Sequence, residues 1–298
     1  MKVERGVGEN GEGEELLGFS LNPHRSTLNF FMNIHPTAIV AGGAKLADDV
    51  EVGPYSIIGA ESEIGPGCVL GAQVILEHRV VLGEGTKVGH GTILGANPQD
   101  LGFEKNRTDT GVRIGKNNTI REHVTINRAT AEKGDTVVGD GNFLMTGCHL
   151  GHDCRIGDRV IVANNVLLAG HVGVADGAFL GGGSVFHQFV RVGSLAMVQG
   201  DSGFSKDVPP YLVASRLNLV VGLNSIGLRR AGLSAEARMQ LKRAFRLLYL
   251  SDLNVSQALA EAAKETWGPE AALFFDFVRE AKNKGICDYS GKELGTAE

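Results

Sequence analysis

The sequence predicts a parallel β-solenoid over residues 33–210, followed by a C-terminal α-helical domain over 211–298. Three observations carry this reading. An apolar residue recurs at every sixth position from Ile34 to Leu94, from Ile114 to Ile126 and from Val138 to Phe204, with no proline or charge at any of them. Glycine often follows at once, as in Val52-Gly53, Ile64-Gly65, Val88-Gly89, Ile156-Gly157 and Val192-Gly193. After Pro209-Pro210 the spacing changes to that of amphipathic helices. A period of six fits neither the 3.6 of a helix nor the alternation of a half-buried strand. One hexapeptide makes a short strand and a corner, so three make a triangular coil of about 18 residues, stacked on the next about 4.8 Å away. The 42 glycines, against 13 Phe, 4 Tyr and 1 Trp, suit a narrow interior filled by aliphatic side chains.

The elements follow in order. Residues 1–32 lie outside the repeat, and the acidic, glycine-rich Glu4–Glu15 stretch reads as a disordered leader. Met32, just before the first coil, is a candidate start. The first block of repeats ends near residue 95. A loop over 95–113 then projects from the coil, because Leu94 and Ile114 are 20 positions apart, read as one full coil plus two. Long loops on a regular scaffold tend to carry function. A second irregularity, 128–135, keeps the phase and is read as replacing one hexapeptide. The block from Val138 onward is unbroken until the two prolines, which cannot continue a ladder. Helices are expected over Leu217–Arg230, from a Ser234 cap to Leu250, from an Asn254/Gln257 capping box to Trp267, and from Pro269 to Lys282, with a frayed tail after Gly285. They are expected to cover the open end of the solenoid, whose exposed edge would invite aggregation.

Composition narrows the function classes. A net charge of −5 excludes a protein built to coat nucleic acid. Cys68, Cys148 and Cys154 occupy a recurrent small-residue slot two positions before the beat, which reads as buried thiols. No apolar run is long enough for a membrane span, and no signal peptide is visible. Together these point to a reducing, cytoplasmic compartment.

The candidate chemistry centres on Cys148-His149-Leu150-Gly151-His152-Asp153-Cys154. Positions three hexapeptides apart in an uninterrupted solenoid share a column. His152, Gly170 and Gln188 therefore stack, beside a column of Asp153, His171 and Phe189, with His187 next to Gln188. His152 is the natural general base, Asp153 its partner if the two lie on a corner, and the Gly170 N–H a donor for an oxyanion, with open space left above His152. Two alternatives stay open on the residues alone, and a third is argued against. His149, His152 and His171 are a candidate zinc set. A solenoid scaffold without catalysis is another. A nucleotidyltransferase would need a glycine-rich phosphate-binding domain, which is absent from the sequence.

These motifs resemble the acyl-[acyl-carrier-protein]–UDP-N-acetylglucosamine O-acyltransferases of lipid A synthesis. The resemblance covers about residues 33–285 and rests on Ile34-His35-Pro36-Thr37-Ala38, Asn97-Pro98-Gln99-Asp100, Ile120-Arg121-Glu122, His149–Cys154, Leu168-Ala169-Gly170-His171, Val185–Phe189 and Asp207–Tyr211. It implies a left-handed β-helix, a homotrimer with sites between neighbouring subunits, and transfer of a (3-hydroxy)acyl chain to the sugar 3-position. The donor is phosphopantetheine-bound acyl carrier protein, and no separate cofactor is implied. It makes His152 the base, Asp153 its partner and Gly170 the oxyanion donor. His149, His171, His187 and Gln188 line the site, Gln99 and Asp100 contact substrate from the loop, Gly200 limits acyl length, and Arg230 binds substrate. The basic helix face of Arg238, Lys242, Arg243 and Arg246, with Arg229 and Arg230, is the implied dock for the acidic carrier protein.

The chain departs from the family pattern at Gly102, where a lysine is usual, at Asn127, at Ser215-Arg216-Leu217 and at Ala231. Lys105 and Arg107 are the cations near enough in sequence to replace the lost one. These departures leave open a related acceptor such as a 3-amino sugar. The N-acyltransferase of the same pathway carries a nucleotide-binding domain ahead of its solenoid, whereas the stretch ahead of the repeat here, 1–32, is too short for one.

Overall fold

The computed structural model describes residues 33–104, 107–281 and 284–292; the leader read at 1–32 lies outside them. Two-residue strands predominate, and successive strands visit three parallel sheets in turn, here called faces A, B and C. The result is a left-handed parallel β-helix of triangular section. Away from the irregular coils, registers such as Val52↔Leu70 and Leu168↔Phe186 join positions three hexapeptides apart. From Val52 to Phe204 every residue on the sixth-position beat is at most 3 % exposed, so each contributes on the order of 1.5–3 kcal/mol of apolar burial. The first coil is more open, with Val40 37 % exposed.

The outer faces differ in kind. Outward positions on face C include Lys45, Glu63, Arg113 and Arg155. On face B they include Ile39, Ile57, Leu167 and Val185, each at least 40 % exposed. At the corners the second residue adopts the left-handed conformation, taken by Asp153, His171 and Phe189 at φ +59°, +62° and +66°.

Both irregularities are larger than their spacing suggested. Face A pairs Val88 with Ile120, 32 positions on, where regular coils pair at 18 positions. The first loop therefore lengthens its coil by 14 positions rather than being one coil plus two. Face B pairs Ile126 with Leu150, 24 positions on, so the second segment adds a hexapeptide to its coil rather than replacing one. The phase survives only because this insertion equals one period. Both insertions leave the prism at the edge between faces B and C.

The solenoid also continues past its prolines. Leu212–Ser215 pairs in parallel with Met197–Val198, then turns antiparallel onto Leu219–Leu223. The segment expected to be helical from Leu217 is therefore half strand, and helix α1 is only Ser225–Arg230, capped by Asn224. Helix α2 (Ala235–Tyr249) is capped by Ser234, and α3 (Val255–Ala262) has the expected capping box but stops well short of Trp267. Helix α4 (Pro269–Glu280) begins at its proline. Of the tail after Gly285, the part up to residue 292 is ordered rather than frayed, because Asp288–Tyr289 adds a strand beside Leu219–Leu223; 293–298 lie outside the described residues.

Arg191 joins the two parts. It donates to the buried Asp207 carboxylate, to Glu280 and to the Phe277 carbonyl, with its guanidinium over the Phe277 ring. All four cysteines are buried and unpaired, and burial pushes the thiols of Cys148, Cys154 and Cys287 up to about 12.

Candidate active site

His152 and Asp153 occupy the corner between strands His149–Leu150 and Arg155–Ile156, on the B/C edge. On an extended strand they would face opposite ways. The corner, with Asp153 left-handed, brings His152 Nδ1 within 2.8 Å of Asp153 Oδ2. His152 is 8 % exposed. Burial pushes the Asp153 carboxyl up, but the Thr130 hydroxyl, His152 and the N–H groups of Thr130 and Ala131 outweigh it and hold the group below the usual aspartate range. An ionised carboxylate only accepts, so Nδ1 must carry the proton and Nε2 is left as the basic nitrogen.

The stacking predicted from the repeat arithmetic holds. The His171 N–H donates to the His152 carbonyl and the Phe189 N–H to the Gly170 carbonyl. One part of that picture changes. The space over His152 is not open, because the imidazole itself fills it: a Cβ on Gly170 would fall 2.5 Å from His152 Nε2. Glycine is required there so that the ring can lie against the backbone. Among the described residues the buried Gly170 N–H donates to no acceptor.

His171 packs edge-on to His152 at 5.1 Å and stacks on Phe189 at 4.5 Å, with Nε2 3.6 Å from Asp153 Oδ2. His149 faces outward from face B, bonded through Nδ1 to Thr125 Oγ1 at 2.7 Å. Burial, then the neighbouring His152, pushes its pKa below the usual histidine value. His187 and Gln188 are exposed at the same edge, with Lys284 Nζ 3.3 Å from His187 Nδ1. Among the described residues, His152, Asp153 and His171 form the grouping that could hold a metal, each offering a ligand atom within 4.8 Å of the others, and this is not the three-histidine set of the zinc reading. His149 is outside it, and the Asp153 carboxylate is already filled by hydrogen bonds from Thr130 and His152.

The remaining expected residues lie elsewhere. Gln99 and Asp100 are exposed on the first insertion, with Asp100 Oδ1 accepting the Gly102 N–H. Arg107, one of the two cations named as replacements for the usual lysine, instead donates to the Thr130 carbonyl; Lys105 is outside the described residues. Gly200 sits on the A/B edge, and Arg230 lines a groove of about 890 Å³ on face A with Ile161, Phe179, Met197, Val213 and Ile226. A single chain therefore divides the expected site between two edges.

Two residues that sequence reasoning passed over connect the insertions to the site. Arg128, 5 % exposed, donates to Asn97 Oδ1 and to the Arg107 carbonyl, with its guanidinium 5.1 Å from the Phe103 ring. Two positions on, Thr130 donates to Asp153. The gap from Ile126 to Val138, two periods wide, was the available signal, had it been counted as an added hexapeptide.

The chain is similar to known proteins over most of its length. A family model described as "Udp N-acetylglucosamine O-acyltransferase; Domain 2" matches residues 207–287, and one described as "Bacterial transferase hexapeptide (six repeats)" matches 61–96 and 135–170. The acyl-[acyl-carrier-protein]–UDP-N-acetylglucosamine O-acyltransferase of Thiobacillus denitrificans is 44 % identical over 256 residues, covering 85 % of this chain and 98 % of the relative. That of Thermodesulfovibrio yellowstonii is 45 % identical over 258 residues, with the same shares of 85 % and 98 %. Among solved structures, the UDP-N-acetylglucosamine acyltransferase of Francisella novicida superposes with a TM-score of 0.83 at 34 % identity, over 89 % of this chain and 98 % of that one. That of Bacteroides fragilis gives 0.79 at 38 % identity, over 85 % and 98 %.

Proposed function

The chain belongs to the acyl-[acyl-carrier-protein]–UDP-N-acetylglucosamine O-acyltransferase family, and from that premise we propose how its B/C edge carries out the transfer. It is an O-acyltransferase, moving an acyl chain from acyl carrier protein to UDP-N-acetylglucosamine. In our reading the acceptor is the 3-hydroxyl and the step opens lipid A synthesis. His152 Nε2 takes the hydroxyl proton as the sugar oxygen attacks the thioester carbonyl. The new C–O bond pushes the carbonyl electrons onto oxygen, toward the free Gly170 N–H. Collapse expels the phosphopantetheine thiolate, and His152 returns the proton to sulfur. Asp153 holds the ring in the required tautomer and stabilises the imidazolium. A thioester is already activated, so the chemistry asks for no cofactor beyond the donor.

The observation that carries this reading is the pairing of a His152 ring anchored at Nδ1 by Asp153 with an unpaired N–H on the glycine lying against its Nε2. A homotrimer follows as the assembly we favour. The expected residues divide between two edges of one prism, so a neighbour's groove with Gly200 and Arg230 would complete the site. Face B carries exposed Ile39, Ile57, Leu167 and Val185, which suit burial against another copy. The apolar groove suits an acyl chain, and Gly200, next in sequence to its lining residue Gln199, is our candidate for setting the length.

We dock the carrier protein on the basic side of α2. There Lys242 and Arg246 are exposed, while Arg243 also pairs with Glu265 and lies over Trp267. Among the described residues no helix is long and apolar enough to cross a membrane. The four unpaired thiols fit the reducing cytoplasm, which we take as the protein's compartment.

The test is to incubate the protein with 3-hydroxyacyl carrier proteins of several lengths and UDP-N-acetylglucosamine. Acylated sugar nucleotide is expected, reduced by about 10³-fold in His152→Ala. No product at any length would overturn the substrate assignment, and undiminished product in His152→Ala would overturn the base.

A further inference from the structure

The corner carboxylates Asp140, Asp158 and Asp176 are each held by an amide of the coil next to them. Asp153 is held by an insertion instead. Its Oδ2 accepts three hydrogen bonds: from His152 Nδ1 at 2.8 Å, from the Thr130 N–H at 3.0 Å and from the Thr130 hydroxyl at 2.6 Å. Its Oδ1 faces the Ala131 N–H at 3.4 Å, and its own N–H donates to Thr136 Oγ1 at 2.8 Å. The carboxylate side chain is thus oriented from outside by two consecutive residues of the hexapeptide insertion, one of them donating twice to the oxygen that binds the imidazole.

We propose that Thr130 is a positioning residue for the acyl transfer: it fixes Asp153 so that Oδ2 meets His152 Nδ1 and leaves Nε2 free as the base. The hydroxyl is the part that matters, since the backbone N–H survives any substitution tested below. A carboxylate without the Thr130 hydroxyl keeps its charge but gains rotational freedom, and His171 Nε2, 3.6 Å from the same oxygen, is positioned to draw it away from His152. The short side-chain bond to an ionised acceptor belongs to the stronger class of hydrogen bonds. Holding a reacting group within a fraction of an ångström of its working geometry contributes to rate rather than to substrate binding.

The same insertion also holds the substrate loop. Arg128 fixes Asn97 and the Arg107 carbonyl on one side, Thr130 fixes Asp153 on the other, and Ala129 between them is fully buried. The added hexapeptide thereby joins the loop that presents Gln99 and Asp100 to the carboxylate that orients the base. In a regular coil of three hexapeptides no side chain would occupy this place.

This inference rests on His152 acting as the base, so the experiment separates the two. Steady-state kinetics are measured for Thr130→Val, Thr130→Ser, Asp153→Ala, the Thr130→Val/Asp153→Ala double variant and His152→Ala, each checked for thermal stability and oligomeric state. Thr130→Val is expected to lower kcat by about 10- to 100-fold, the range for one hydrogen bond to a charged group, with KM for the nucleotide sugar within about twofold. Thr130→Ser restores most of that turnover. In the Asp153→Ala background Thr130→Val has little further effect, because the two act through one contact. Thr130→Val with undiminished kcat, or the same loss with and without Asp153, overturns the positioning role. His152→Ala with undiminished kcat overturns the underlying base assignment instead.

Discussion

Two edges of the prism use the same corner backbone for opposite ends. On the edge between faces C and A, carboxylates climb the stack: the Lys116 N–H donates to Asp140 Oδ1 at 2.7 Å, the Asp140 N–H to Asp158 Oδ1 at 2.8 Å, and the Asp158 N–H to Asp176 Oδ1 at 2.9 Å. Each of these corner amides, left over by the ladder, is capped by the next coil. On the edge between faces B and C the equivalent positions are His152, Gly170 and Gln188, and the Gly170 amide is uncapped. Imidazoles are not at fault, since on the A/B edge His90 Nδ1 accepts from the Ala72 N–H at 2.8 Å. His152 instead turns Nδ1 to Asp153. A buried donor without a partner costs about 1–3 kcal/mol, so the B/C edge carries a local cost that the C/A edge avoids. What it gains is a donor and a base held side by side. The capped edge stabilises the coil, and the uncapped edge is where the chemistry is set.

The sharpest way to break this comparison is Gly170→Ala. The new Cβ would fall 2.5 Å from His152 Nε2, so the imidazole must move off the amide it faces. A fall in kcat of about 10²- to 10³-fold is expected, the range for losing one oxyanion donor, measured with the sugar nucleotide saturating. Full activity would show that the uncapped amide and the ring beside it take no part in turnover.

The converse belongs to the capped edge. Asp158→Ala leaves the Asp140 N–H without its acceptor, which turns one capped corner into an uncapped one far from the base. A loss of about 1 kcal/mol is expected from the urea midpoint, with kcat unchanged within about twofold. A loss of turnover without a loss of stability would erase the distinction between the two edges.

Much of this contrast was legible in the sequence, for a physical reason. An apolar residue at every sixth position fixes which face each strand joins, and a coil of three hexapeptides fixes which side chains stack, so His152, Gly170 and Gln188 fell into place from Val138 onward. The same arithmetic keeps Gly200 in phase with the beat but in a different column from His152, and the structure places it on another edge. Thr130 escaped because its coil is one hexapeptide longer than the regular ones, and the added period restored the phase that would have exposed the insertion. The arithmetic also says where a residue sits but not which way its side chain turns, so the ring filling the space beside Gly170 was read as a gap. Leu219–Leu223 was taken for helix because its partners, Leu212–Ser215 and Asp288–Tyr289, are fixed by tertiary pairing and not by local period.

The smallest expected effect concerns His149, on the strand that leads into the uncapped edge. Burial, then the nearby His152, holds its folded pKa below the unfolded value of about 6.5. A histidine with a lowered folded pKa is kept neutral by the native state. Its contribution to stability is present above the unfolded pKa and is lost as pH falls through about 6.5 toward the folded value, where the unfolded chain takes up a proton that the folded chain refuses. Wild type should therefore lose more stability than His149→Gln between about pH 7.5 and 5.5, by thermal or urea unfolding at each pH, with all other titrating groups common to both. Equal slopes would mean that His149 titrates as it does in the unfolded chain. The difference bears on the site as well as on stability. His152 is the second cause of that lowering, so the strand that leads into the uncapped edge feels the group that Asp153 and Thr130 keep in place.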